Sequence, residues 1–305
     1  MSPSRTPSAN AGVEPQPLLF DERFLKRLSR LTLVTRQARA GQFQGERRSP
    51  KRGQSVEFAD YRPYVPGDDF RQIDWHVYAR LERFFVKLFV EEEDITVHLL
   101  VDTSRSMSWG TPSKLEMAVR LASAFGYIVL NGLDRVAAYA FGNGTQRWPA
   151  RRGRRAAVSL FSWLHALVPS GTTQLVRAIS QYAHKTTQPG PLLLFSDMLV
   201  EGWPEALRTL VARRFEVTLV HILSPEELDP PFHGDLLLRD CERDEGVEIT
   251  LDGAMLARYR HHLATWRASI RRWCAERGVR YVFVSSDTPI EDVIFTHMVQ
   301  YGVLR

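Results

Sequence analysis

Residues 99–107 read L-L-V-D-T-S-R-S-M. An apolar run stops at Asp102, and Ser104 and Ser106 follow at alternate positions. Three kinds of chemistry fit that spacing. Asp and Ser are common at helix starts, so the stretch reads as a capped strand-to-helix turn. An aspartate after an apolar strand also reads as a phosphatase-like nucleophile. A carboxylate with neighbouring hydroxyls reads as a site for a hard divalent cation. The stretch alone does not choose among them.

The enzyme reading asks for partners. A haloacid-dehalogenase-type phosphatase wants a second carboxylate two residues on, as general acid, and position 104 is Ser. A serine hydrolase wants G-x-S-x-G, whereas the chain has D-T-S-R-S-M-S. None of the nine histidines falls in a recognisable catalytic motif. His98, inside an apolar strand, reads as a satisfied core residue, and His261-His262, on an Arg-rich helix, as surface. A metal-dependent phosphatase or hydrolase using Asp102 stays as the minor alternative, and the expectation is a protein that is not an enzyme.

The whole chain bounds the rest. Its 305 residues suffice for one large α/β domain with an appendage. The apolar fraction is 44% and the charged fraction 25%, as in soluble globular proteins. No run approaches the ~18 apolar residues needed to span a bilayer. The first twenty residues, rich in Ser, Pro, Ala and Gly, lack the apolar core of a signal peptide and read as a disordered tail. The expected compartment is therefore the cytoplasm, and Cys241 and Cys274 read as reduced structural thiols. The net charge of +5 is mild, with local basic clusters at 47–52 and 147–155. Both read first as solvated loops and second as docking patches for an acidic partner. Neither belongs to a nucleic-acid-binding module.

The elements follow from periodicity. Asp21 caps a predicted helix running to about Arg39, with Phe24, Leu25, Leu28, Leu31 and Val34 on one side. Strands are predicted at 56–61 and 84–90, with Pro66-Gly67 between them as a turn and 91–94 as an exposed turn. ITVHLLVD, DRVAAYAFG, PLLLFSD, FEVTLVHIL and VRYVFVSSD read as sheet strands. Helices are predicted after Ser113, over 156–167, 175–184, 203–213 and 255–276, and a short antiparallel excursion over 235–250. Ser113 and Glu116 have capping-box spacing, and Gly132 marks the stop. This alternation predicts a doubly wound, mostly parallel α/β sheet with helices on both faces, preceded by an N-terminal helix and a small β-containing segment. The expected boundaries are a tail at 1–18, the helix and small segment at 19–94, the α/β domain at 95–290 and a tail at 291–305.

Ligands of such sheets bind beyond the carboxyl ends of the strands. Three places there carry oxygen: Asp102, Ser104 and Ser106; Thr172 and Thr173; and Ser196 with Asp197. With no adjacent His or Cys, this set suits Mg²⁺, Mn²⁺ or Ca²⁺ rather than zinc. D-T-S-R-S, then G-T-T-Q-L, then L-F-S-D-M resembles the von Willebrand factor A domain and its metal-ion-dependent adhesion site. The resemblance covers about residues 95–286 and implies five metal-site residues: Asp102, Ser104, Ser106, Thr173 and Asp197. Thr173 is preferred to Thr172 because Thr173-Gln174-Leu175 matches the family's Thr-x-Leu. Met198 departs from the pattern, since many members have Gly there. The resemblance further implies that the hydroxyls touch the metal and the aspartates act largely through water. The metal then keeps a position for a carboxylate of a protein partner.

Residues 52–80, R-G-Q-S-V-E-F-A-D-Y-R-P-Y-V-P-G-D-D-F-R-Q-I-D-W-H-V-Y-A-R, resemble the signature of bacterial domain-of-unknown-function 58 proteins. That resemblance implies work with a MoxR-type AAA+ ATPase in assembly or maturation of other proteins. Arg62, Asp68, Asp69, Arg71, Asp74 and Arg80 alternate in sign and read first as an internal salt-bridge network.

Overall fold

Six strands form the central sheet, in the order β10-β7-β6-β3-β4-β5. They are β3 (Thr96–Asp102), β4 (Arg135–Gly142), β5 (Gly144–Arg152), β6 (Pro191–Ser196), β7 (Glu216–Leu223) and β10 (Arg280–Ser285). All neighbours are parallel except the β4–β5 hairpin. The computed structural model describes residues 20–35, 56–91, 95–172, 174–240 and 246–305.

The apolar runs in β3, β6 and β7 are buried along their length because helices cover both faces of the sheet. On one face, Leu100, Leu192, Leu194, Val217 and Leu219 pack with helices α5 (Leu175–Lys185), α6 (Trp203–Ala212) and α8 (Gly253–Glu276). On the other, Phe195 meets Phe125 of α3 (Lys114–Asn131). Gly126 of α3 lets Leu160 of α4 (Ala156–His165) approach; a Cβ there would collide with it. Ser113 caps α3 by accepting from the Glu116 N–H, and Gly132 ends it. Among the described residues, no helix is long and apolar enough to cross a membrane.

Several expectations change. Helix α1 spans only Glu22–Leu28. The chain then turns, because Leu33 bridges Leu304 and Thr32 and Arg305 exchange backbone hydrogen bonds. The C-terminal residues expected as a tail are packed: Val293, Ile294, Met298, Val303 and Leu304 are buried, and Phe24 meets Phe295 edge-on. By contacts, the segments up to Thr35 and from Thr96 onward form one unit, and Arg36–Ile95 another. The N-terminal helix thus belongs with the sheet because its apolar face is buried there. The basic stretch 147–155, read as a loop, is largely β5, an edge strand that buries Trp148 and exposes its arginines.

The second unit pairs β1 (Val56–Pro63) with β2 (Phe85–Glu91) antiparallel. Gly67 takes φ +108° in the turn after Pro66. A helix absent from the sequence expectations, α2 (Trp75–Leu81), starts at Asp74, whose carboxylate accepts from the His76 N–H and the Tyr61 hydroxyl. Arg62 and Asp68 form an ion pair at 2.7 Å. Asp69 caps the turn at Phe70–Gln72. Among the described residues, Arg62 and Asp68 are thus paired, while Asp69 and Asp74 each cap a helical turn. Residues 92–94, expected as a turn, and Cys241 lie outside the described residues. The hairpin β8 (Gly234–Arg239) and β9 (Gly246–Leu251) is the expected antiparallel excursion.

Candidate metal centre

The strand order reverses between β3 and β6. From β3 the chain crosses to β4, and from β6 it crosses the other way to β7. This switch point opens a crevice beyond the carboxyl ends of β3 and β6. Asp102 is the last residue of β3, and Ser196 the last of β6.

Asp102 is fully buried. One carboxylate oxygen accepts from the Ser104 N–H at 2.9 Å, and the other from the Ser196 hydroxyl at 2.7 Å. The Ser104 and Ser106 hydroxyl oxygens lie 3.0 Å apart. Burial, and then the charge of Asp197, push the Asp102 carboxyl up to about 7. A cation at this place would oppose both effects.

Ser170 and Gly171 are tied to the same corner. Thr103 O accepts from the Ser170 N–H at 2.8 Å, and Gly171 O accepts from the Arg105 N–H at 3.1 Å. A Cβ on Gly142 would lie 2.5 Å from Thr103 O and 2.8 Å from Ser170 O, so only glycine lets β4 pass this closely. Thr173 itself lies outside the described residues. Thr172 is exposed.

Asp197 is also buried, and its partner was not foreseen. Lys114, at the start of α3, places its ammonium 2.7 Å from Asp197 Oδ2 and 2.5 Å from Glu227 Oε1. Asp197 Oδ1 accepts from the Leu199 N–H at 3.1 Å. Glu227 belongs to α7 (Pro225–Leu228), held after β7 by a capping box with Ser224. Burial pushes the Lys114 ammonium down, but Asp197 and then Glu227 outweigh it and leave it raised. Burial raises Glu227 despite Lys114. No local pattern marks Lys114: its two partners are distant in sequence. Met198, the departure from the resemblance, takes φ +56°, in the left-handed region that favours glycine. Its N–H donates to the Ser196 hydroxyl and its side chain is fully buried.

Outside this corner the histidines fit their expected places. His98 is buried and bonded to Tyr182 and Gln188, and His261 and His262 are exposed. Among the described residues no three His, Cys, Asp or Glu side chains group as a metal site. The donors around Asp102 are instead mostly hydroxyls. Their spacing suits a small hard ion: adjacent oxygens of a Mg²⁺ octahedron with ~2.0–2.1 Å bonds are about 2.9 Å apart.

Fold and site together define an α/β protein with an oxygen-lined crevice at the switch point of a doubly wound sheet. The chain belongs to the family described as protein of unknown function DUF58, whose model matches residues 60–269. It is 29% identical over 274 residues to uncharacterized protein Mb1516 of Mycobacterium bovis, covering 88% of this chain and 86% of that one. Uncharacterized protein Rv1480 of Mycobacterium tuberculosis matches to the same extent. Among solved structures, a conserved hypothetical protein BatB from Bacteroides thetaiotaomicron aligns at 20% identity and TM-score 0.44, over 68% of this chain and 98% of that one.

Proposed function

We propose that the chain is a metal-dependent protein–protein interaction module built as a von Willebrand factor A-like domain. Its site holds Mg²⁺, or Mn²⁺ or Ca²⁺, and binds an acidic side chain of a partner. Ser104 and Ser106 hold the ion, with Thr173 completing the set from the third loop. Asp102 and Asp197 act around it, Asp102 through its position beside both serines and Asp197 from its place on Lys114. The bound ion supplies an open coordination position that attracts a carboxylate. The observation that carries this reading is the pair of hydroxyls 3.0 Å apart beside buried Asp102. The proposed partner, drawn from the family resemblance, is a MoxR-type AAA+ ATPase, with which the module acts as an adaptor in assembly or maturation of other proteins.

The test is capture of a MoxR-type AAA+ ATPase encoded beside this chain, in Mg²⁺ or Mn²⁺ and in chelator. Capture is expected with metal, and its loss in chelator, in Asp102→Ala and in Ser104→Ala, with the variants still folded by circular dichroism. Equal capture in metal and chelator overturns the reading.

A further inference from the structure

A second cleft lies at the opposite end of the sheet. Its walls include Thr96 and Arg135, the first residues of β3 and β4, with Arg147 and Trp148 of β5, Lys185 at the end of α5 and residues 186–188 after it. Thr96 and Asp102 bound β3, so the two sites are about 20 Å apart at ~3.3 Å per strand residue. The cleft's volume is about 170 Å³. That is below the ~300–1,000 Å³ of pockets for drug-sized ligands, so its occupant is small.

The floor is hydrogen-bonded and uncharged. His98 Nε2 lies 3.2 Å from the Gln188 carbonyl and must donate to it; Nδ1 then accepts from the Tyr182 hydroxyl at 2.7 Å. Burial pushes His98 down to about 4, which keeps it neutral. A Cβ on Gly190 would collide with the Thr96 carbonyl, so glycine lets the loop after α5 close on β3. The rim carries the charge. Arg147 stands across the strand pair from Tyr139, whose ring packs 4.8 Å from that of Tyr182. Arg135 and Lys185 are its other cations, and no carboxylate is among the described residues that line the cleft. Guanidinium groups match phosphate oxygens as forks, and lysine adds a point charge.

We propose that this cleft is an anion site for a phosphate group carried by a small molecule, either inorganic diphosphate or a phosphomonoester. Part of the basic cluster at 147–155 thereby gains a role that no acidic protein partner is needed to explain. The site does not depend on the metal reading.

Isothermal titration of the full chain, in chelator and at constant ionic strength, tests it with diphosphate, orthophosphate and glycerol phosphate. One-site binding of at least one is expected, weakened at least tenfold by Arg147→Gln and by Lys185→Gln. Arg258→Gln, exposed on α8, controls for general charge and is expected to change nothing. Tighter diphosphate points to the inorganic ligand, and tighter glycerol phosphate to a monoester. Absence of binding by all three overturns the proposal, as does binding undiminished in the Arg147→Gln Lys185→Gln double variant.

Discussion

The Lys114 ammonium is fully buried against the carboxylate of Asp197, 2.7 Å away and 83 positions along the chain. It is shared with Glu227 at 2.5 Å. Breaking a buried pair from one side leaves charge without compensation, at a cost of about 3–5 kcal/mol. Lys114→Met is therefore expected to lower the urea midpoint by that amount of stability. Adding Asp197→Asn should recover part of the loss, since one stranded charge is removed. A Lys114→Met variant as stable as the native chain would contradict the pairing.

Ser106 offers the opposite contrast. Its hydroxyl meets Ser104 at a partly buried position. Ser106→Ala should change stability by no more than about 0.5 kcal/mol. Mn²⁺ affinity, read by titration calorimetry, should fall at least tenfold. Unchanged affinity would remove Ser106 from the metal site.

Gly142 sets the separation between β4 and the two loops that face it. In Gly142→Ala the added methyl meets the backbone oxygens of Thr103 and Ser170, which have no rotamer to escape into. Overpacking of this kind costs about 1–3 kcal/mol. The melting temperature should drop, and Mn²⁺ affinity with it, because the strain falls on the Thr103 backbone beside Asp102. Loss of stability with full metal affinity would separate the loop from the site.

Stability should fall toward acid. His98 and His221 are pushed from 6.5 to about 4 and about 3, in both cases by burial. The unfolded chain takes up protons below 6.5 while the folded chain does not, so their contribution is full above 6.5 and lost as pH falls through that window. Asp102 works the other way. Raised from 3.8 to about 7, its folded form holds a proton that the unfolded form has lost, so it favours the fold as pH falls between those values. Glu227, which burial also raises, acts in the same sense as Asp102, so the loss from the histidines shows most clearly where Asp102 is removed. Urea midpoints in chelator at pH 7.5 and 5.5 should show it, with a larger drop in Asp102→Asn, which lacks the opposing group. A flat profile in Asp102→Asn would refute the assignment.

Much of the oxygen site is legible in the chain because its signals are local. Two apolar strands give way to polar residues, at Asp102, Ser104 and Ser106 and at Ser196 and Asp197. The doubly wound alternation says that these strand ends share an edge, and the fold brings Asp102 and Ser196 within 2.7 Å. The basic stretch misleads for an equally local reason. Five arginines, a proline and a glycine in nine residues carry no apolar alternation, yet pairing with β4 and burial of Trp148 make most of it a strand. Periodicity likewise carries the first helix past Leu28, whereas the chain turns after it and Leu33 pairs with Leu304.

Strand and helix order, the capped start of α3 and the placing of carboxylates and hydroxyls at strand ends follow from patterns a few residues long, whose physics is backbone geometry and burial of one face. The charge state of the site does not. Lys114 reaches Asp197 and Glu227 across 83 and 113 positions of chain, and the second cleft gathers Arg135, Arg147 and Lys185 from three elements. Coulombic and desolvation energies depend on distance through the folded molecule, and distance along the chain says nothing about them until the sheet has closed.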